Sequence, residues 1–238
     1  MNHTSTLLFL AMALSIGGQE ARGDSFLTRD DMPNAVNYLP VYPYTDDTRY
    51  LDDWVQYSWG KTVRNTTRGQ QAVADAIYSV SSISKGFNAA FGMTISSSNT
   101  PELYKLLTKA LGDCSNGTYV AKNYYMRKRP FDYYGESSAT PNDEASLRKN
   151  GSYPSGHTTA GWTFALLLAE INPARQDTIL SRGYQYGQSR VIVGVHYQSD
   201  VTAGRLVASA VVARLHADAA FMEQLKKAKA EFAAKSGM

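Results

Sequence analysis

The chain predicts an all-α fold, a single helical bundle, and three observations carry that expectation. From about residue 51 onward apolar residues recur at helical spacing, alternating strand-like runs are scarce, and no stretch past residue 23 is long and apolar enough to span a membrane. With 238 residues, 43% hydrophobic and 19% charged, there is material for a sizeable core and no sign of general disorder. The formal charge of +3 is too weak to argue for a nucleic-acid or membrane partner. One cysteine, Cys114, excludes an internal disulfide or a multi-cysteine metal site, and its expected role is that of a small buried residue.

Residues 1–23 read as a signal peptide: the run Leu7 to Ile16 is too short to cross a bilayer but suits an export core, and small residues follow at Gly17, Gly18, Ala21 and Gly23. Their removal deletes one acid, Glu20, and one base, Arg22, so the charge stays at +3. Residues 24–50 hold three of the eight prolines among acids and aromatics and predict an irregular arm wrapped on the body. The body, residues 51–238, follows. Thr100-Pro101-Glu102 starts a helix carrying Leu103, Leu106, Leu107 and Leu111, and Phe221, Leu225, Ala228 and Phe232 mark another near the end. Residues 132–152 are the one long break, suited to covering a site. The lysines at 226, 227, 229 and 235 lie opposite an apolar face and read as a solvated surface.

Three segments carry chemistry. Lys122 and Arg129 are seven residues apart, close to two helical turns, so the spacing predicts two cations leaving one helical face, with Pro130 stopping the helix. Pro154-Ser155-Gly156-His157 opens an apolar helical stretch. Free N–H groups at such an opening, with the Ser155 hydroxyl, form a cradle for phosphate or an oxyanion, and His157 stands at its edge. Arg190 falls near the end of one helix and His196 near the start of the next, separated by Gly194; the four-residue spacing places Asp200 on the same helical face as His196, where it can accept the Nδ1–H and leave Nε2 with a free lone pair. Each segment alone also fits an ordinary structural role.

Together they describe a phosphoryl-transfer site that works without a metal: three cations, an N–H cradle, one histidine with an orienting carboxylate and one without. Three cations would repel a zinc ion. The surroundings of Ser155 do not match the G-x-S-x-G elbow of acyl hydrolases. Spacing does not say which histidine is the nucleophile, although the Asp200 partner favours His196.

The three segments, in order, resemble the K-x6-R-P, P-S-G-H and S-R-x5-H-x3-D signature of the type 2 phosphatidic acid phosphatase (PAP2) superfamily. Gly151 to Thr158 is further similar to the signature of the bacterial class A non-specific acid phosphatases. The resemblance implies that His196 forms a phosphohistidine, oriented by Asp200, that His157 protonates the leaving group, and that Lys122, Arg129, Ser155, Gly156 and Arg190 hold the phosphate oxygens. It implies small phosphomonoesters as substrates and a homo-oligomer. The cationic site, with no ligand cluster, predicts inhibition by vanadate and no cofactor; the signal peptide predicts a periplasmic or secreted enzyme; and the weak net charge and lack of spanning segments predict no nucleic-acid or membrane partner. Vanadium-dependent haloperoxidases are similar in the same motifs, and diphosphohydrolase or phosphotransferase variants of the family are further alternatives.

Overall fold

Helix α1 (Tyr50–Val63) opens the body of the computed structural model, which describes residues 25–237, and nine more helices follow among those residues. They are α2 (Thr67–Ala74), α3 (Val80–Phe91), α4 (Pro101–Tyr125), α5 (Pro130–Tyr134), α6 (Glu144–Leu147), α7 (Gly156–Ile171), α8 (Gln176–Ile192), α9 (Gln198–Leu215) and α10 (Ala219–Ser236). No strand occurs among the described residues, so the chain is all-α. The segment proposed as a signal peptide lies outside the described residues.

The centre of the bundle is α7. Its buried residues, among them Thr159, Ala160, Thr163, Phe164, Leu167 and Leu168, face several directions rather than one stripe, as a helix enclosed by neighbours requires. It packs on α8, α9 and α4, and α4 in turn carries α10. Small residues let these helices close up. A Cβ on Gly204 of α9 would stand 2.7 Å from the carbonyl oxygen of Ser155, so only glycine brings α9 against the start of α7. The main apolar core runs through Phe87, Phe91, Leu106, Leu107, Phe164 and Phe221, with Cys114 fully buried among them.

Residues 25–49 contain one short 3-10 turn, Ala35–Asn37, and lie along the body. Phe26, Leu27, Met32 and Leu39 join the main core. The backbone N–H groups of Phe26 and Leu27 donate to the Asp113 carboxylate on α4 at 3.2 and 2.9 Å, and the Tyr153 hydroxyl donates to the Pro40 carbonyl at 2.6 Å.

Two local expectations are corrected. Helix α4 does not reach Pro130. It ends at Tyr125, where Met126 takes a left-handed conformation at φ 39°, and Pro130 instead begins α5, with Arg129 extended ahead of it. Proline disfavours a helical conformation in the residue before it, yet suits the first helical position. The break at 132–152 is likewise partly ordered, since α6 and a 3-10 turn at Pro141–Asp143 lie within it. That segment is also pinned: the Ala139 N–H donates to the Val193 carbonyl at 2.8 Å.

Candidate active site

The site lies where α4, the turn before α5, and the starts of α7 and α9 meet. At the end of α8, Gly194 turns the chain at φ 84°, a left-handed conformation that glycine adopts without strain. The N–H groups of Val195 and His196 then fold back onto the Arg190 carbonyl at 3.2 and 3.3 Å. His196 therefore precedes α9 instead of lying on it. Its partnership with Asp200 arises because Asp200 occupies the third helical position of α9 and reaches back, its Oδ2 accepting the Tyr197 N–H at 2.9 Å and standing 3.3 Å from His196 Nδ1. The four-residue spacing works through this capping geometry and not through a shared helical face.

On its other side, His196 Nε2 lies 3.0 Å from Arg129 Nη1. A guanidinium can only donate, so this contact and the Asp200 carboxylate fix the tautomer: hydrogen on Nδ1 and a lone pair on Nε2. Burial, with Arg129 next in weight, pushes the proton affinity of His196 well below its ordinary value, despite Asp200. Asp200 is itself fully buried. Desolvation would raise it, but Arg127 and the hydrogen bonds from His196 and Ser152 hold it well below the usual carboxylate range.

The three expected cations come together. Arg129 is fixed by backbone: Nε donates to the carbonyls of Leu147 and Asn150 at 3.0 and 3.1 Å, and Nη1 to that of Val195 at 2.9 Å. Lys122 Nζ donates to the Gly151 carbonyl at 2.7 Å, and its Cε would lie 3.6 Å from a Cβ on Gly156. Lys122 and Arg129 thus converge on one loop, although no single helix carries both. Arg190 is 1% exposed, and its Nε and Nη1 have no hydrogen-bond partner among the described residues. Burial lowers all three, and repulsion from the neighbouring cations adds to it at Lys122 and Arg129. Lys122 falls well below its ordinary value, with Arg129 adding to desolvation; Arg129 falls to about 9, with Arg190 adding; Arg190 falls to about 10 through burial alone.

Ser155 caps α7. Its hydroxyl oxygen accepts the Thr158 N–H at 3.3 Å and the Thr158 hydroxyl at 2.9 Å, which leaves its own hydrogen for a further acceptor. The first N–H groups of α7, at Gly156 and His157, have no carbonyl one turn back to serve them. His157 Nε2 meets the Ala76 carbonyl at 2.9 Å, and the Tyr78 ring packs 4.7 Å from the imidazole. Burial, then Arg190, depress its proton affinity well below the ordinary value.

Sequence reasoning missed Arg127, Ser152, Ser199 and Asp53. Arg127 stands in the basic run Arg127-Lys128-Arg129, where nothing local sets it apart, yet it is buried and paired to Asp200 at 2.6 Å and Asp53 at 2.8 Å. Ser152 donates its hydroxyl to Asp200 Oδ2 and lies 3.2 Å from His196 Nδ1. Among the described residues no three His, Cys, Asp or Glu side chains gather as metal ligands, and no helix is long and apolar enough to cross a membrane.

Comparison with known proteins agrees with this geometry. The chain is 47% identical to a non-specific acid phosphatase of Providencia stuartii over 87% of its own length and 84% of the relative's. It is 41% identical to a non-specific acid phosphatase of Salmonella typhimurium, over 90% and 86% of the two chains, and 34% identical to an acid phosphatase of Zymomonas mobilis, over 96% and 86%. Residues 102–221 match the PAP2 superfamily and contain all three motif segments. A helical bundle that closes two histidines and three cations around one small space, with relatives of this kind along most of its length, belongs to the PAP2 superfamily, among its non-specific acid phosphatases.

Proposed function

We propose that this phosphatase hydrolyses a broad range of small phosphomonoesters through a phosphohistidine on His196, without a metal. The observation that carries the reading is Arg190: a buried guanidinium whose Nε and Nη1 find no partner among the described residues needs an anion, and a phosphoryl group supplies one. Lys122, Arg129, Arg190, the Ser155 hydroxyl and the N–H of Gly156 take its oxygens. The Arg129 N–H that covers Nε2 in the free enzyme passes to a phosphate oxygen, and Nε2 attacks phosphorus as the ester P–O bond breaks. His157 gives a proton to the departing oxygen. With its Nε2–H committed to Ala76, Nδ1 is the nitrogen left to carry that proton. The same histidine then takes a proton from water, which attacks the phosphohistidine and releases inorganic phosphate.

Acid preference follows from the sign of the His157 shift. The first step needs His157 protonated, and burial with Arg190 lowers its proton affinity, so turnover falls as pH rises through that lowered value. Residues 1–23 place the enzyme outside the cytoplasm on this reading, and vanadate, a phosphate mimic of the attacked phosphorus, inhibits it.

Rapid quenching with a 32P-labelled aryl phosphate tests the covalent step. An acid-labile, base-stable label is expected on the parent enzyme and none on His196→Ala; label surviving on His196→Ala, or activity lost to a chelator and restored by a divalent ion, overturns the mechanism.

A further inference from the structure

One buried charge network ties the motif residue Asp200 to Arg127, Ser199 and Asp53, residues that the three signatures leave unspecified. Arg127 is 6% exposed. Its Nη1 donates to Asp200 Oδ1 at 2.6 Å and to the Ser199 hydroxyl at 2.7 Å, and its Nη2 donates to Asp53 Oδ2 at 2.8 Å. Asp53, on α1, also accepts the Ser199 N–H at 2.7 Å and the Ser199 hydroxyl at 2.6 Å. The guanidinium is clasped between Tyr42 and Tyr197, 4.6 and 4.0 Å from the two ring centroids. A planar fork can serve two carboxylates at once where a lysine's single ammonium cannot hold both in plane.

The two oxygens of Asp200 are thereby divided: Oδ1 faces Arg127, while Oδ2 serves Tyr197 N–H, Ser152 and His196 Nδ1. A carboxylate buried this deeply takes up a proton unless a cation sustains it, and a protonated Asp200 could not balance charge on His196. We infer that Arg127 and Asp53 are positioning residues for the reaction: Arg127 keeps Asp200 ionised with Oδ2 turned to His196, and Asp53, by drawing on the same guanidinium, lets α1 set the proton affinity of the nucleophile.

This rests on His196 being the nucleophile. The other groups facing His196 are Arg129 from the turn before α5, Lys122 from α4, Ser152 ahead of α7 and His157 on α7. All stay in place in the variants below, so a change in titration traces to the network.

The test is the acid limb of kcat/KM, which reports the first proton taken up by the buried His196–Asp200 pair in the free enzyme, whichever of the two holds it, measured with the full chain beside the 32P trapping assay. Arg127→Met removes a positive charge and should move the limb up by about one pH unit. Asp53→Asn removes a negative one and should move it down. Arg127→Lys keeps the charge and should leave the limb near its parental position while lowering kcat. A merely structural role predicts loss of kcat in all three with no opposed shifts. Limbs that move together, or that stay put while phosphoenzyme still forms, overturn the inference. If Arg127→Met does not fold, the other two decide it: an Asp53→Asn limb that is unmoved or raised is fatal. Absence of label on the parent enzyme overturns the nucleophile assignment, and this inference with it.

Discussion

Two arginines buried within the same site have opposite surroundings. Arg127 is met by two carboxylates, a hydroxyl and two aromatic rings, whereas Arg190 has two nitrogens, Nε and Nη1, with no hydrogen-bond partner among the described residues. Burial costs both of them. Asp200 and Asp53 outweigh that cost for Arg127 and raise its hold on its proton, while Arg190, lacking such partners, is pushed down to about 10. A matched buried charge belongs to the scaffold, and an unmatched one marks where a ligand's charge is expected.

The contrast is sharpest when both are replaced by methionine, a side chain of similar length without charge. Arg127→Met leaves Asp53 and Asp200 buried without their cation and should cost about 3–5 kcal/mol of folding stability in urea titration. Arg190→Met removes a charge that has no ion pair among the described residues, only more distant carboxylates. Stability should hold or rise, while kcat/KM for an aryl phosphate falls roughly 10²–10³-fold, the range for losing one preorganised donor. Vanadate should raise the Tm of the parent and barely move that of Arg190→Met. Equal stability losses in the two variants would dissolve the distinction.

The next effect is smaller and concerns pH. Both His157 and His196 are held neutral by burial, with Arg190 next in weight for the first and Arg129 for the second. A histidine whose folded value is lowered binds fewer protons folded than unfolded below pH 6.5. Its stability contribution is complete above that pH and declines as pH falls toward the folded value, by up to about 1.4 kcal/mol per pH unit for each group. Asp113, pushed up to about 6 chiefly by burial, works the other way over part of the same range. The difference between variants is therefore the measurement: between pH 6.5 and 5 the stability of His157→Gln should fall less steeply than that of the parent. Identical slopes would mean that His157 is not held neutral.

The sequence made half of this contrast readable. Lys122, Arg129, Ser155, Gly156, His157, Arg190, His196 and Asp200 lie in short segments whose local order already carries the chemistry, and the helical periodicity of the leucines and phenylalanines announces the bundle. The route to one conclusion was still wrong in detail, since Lys122 and Arg129 meet through the Gly151 carbonyl and a left-handed Met126 instead of two turns of one helix. Arg127 was not readable. Its partners lie 73 and 74 residues away along the chain, and nothing in the local pattern distinguishes the buried Asp53 from its exposed neighbour Asp52. Ion pairs between distant segments leave no periodic trace, whereas apolar faces do.

The basic run at 127–129 supplies the finest test, because its middle member shares charge and neighbourhood with the other two yet none of their burial. The Lys128 side chain is 59% exposed and, among the described residues, pairs with Asp132 at 3.5 Å, a carboxylate that Arg148 also contacts at 3.3 Å. An exposed pair of that kind, with a second cation ready to serve the acid, is worth little in water. Lys128→Ala should change stability by less than about 0.5 kcal/mol and leave kcat/KM unaltered for a neutral leaving group. A tenfold loss would show that positive charge near the mouth of the site, and not only the buried guanidinium groups, draws the substrate in; raising the ionic strength of the parent enzyme would then have to reproduce the same loss.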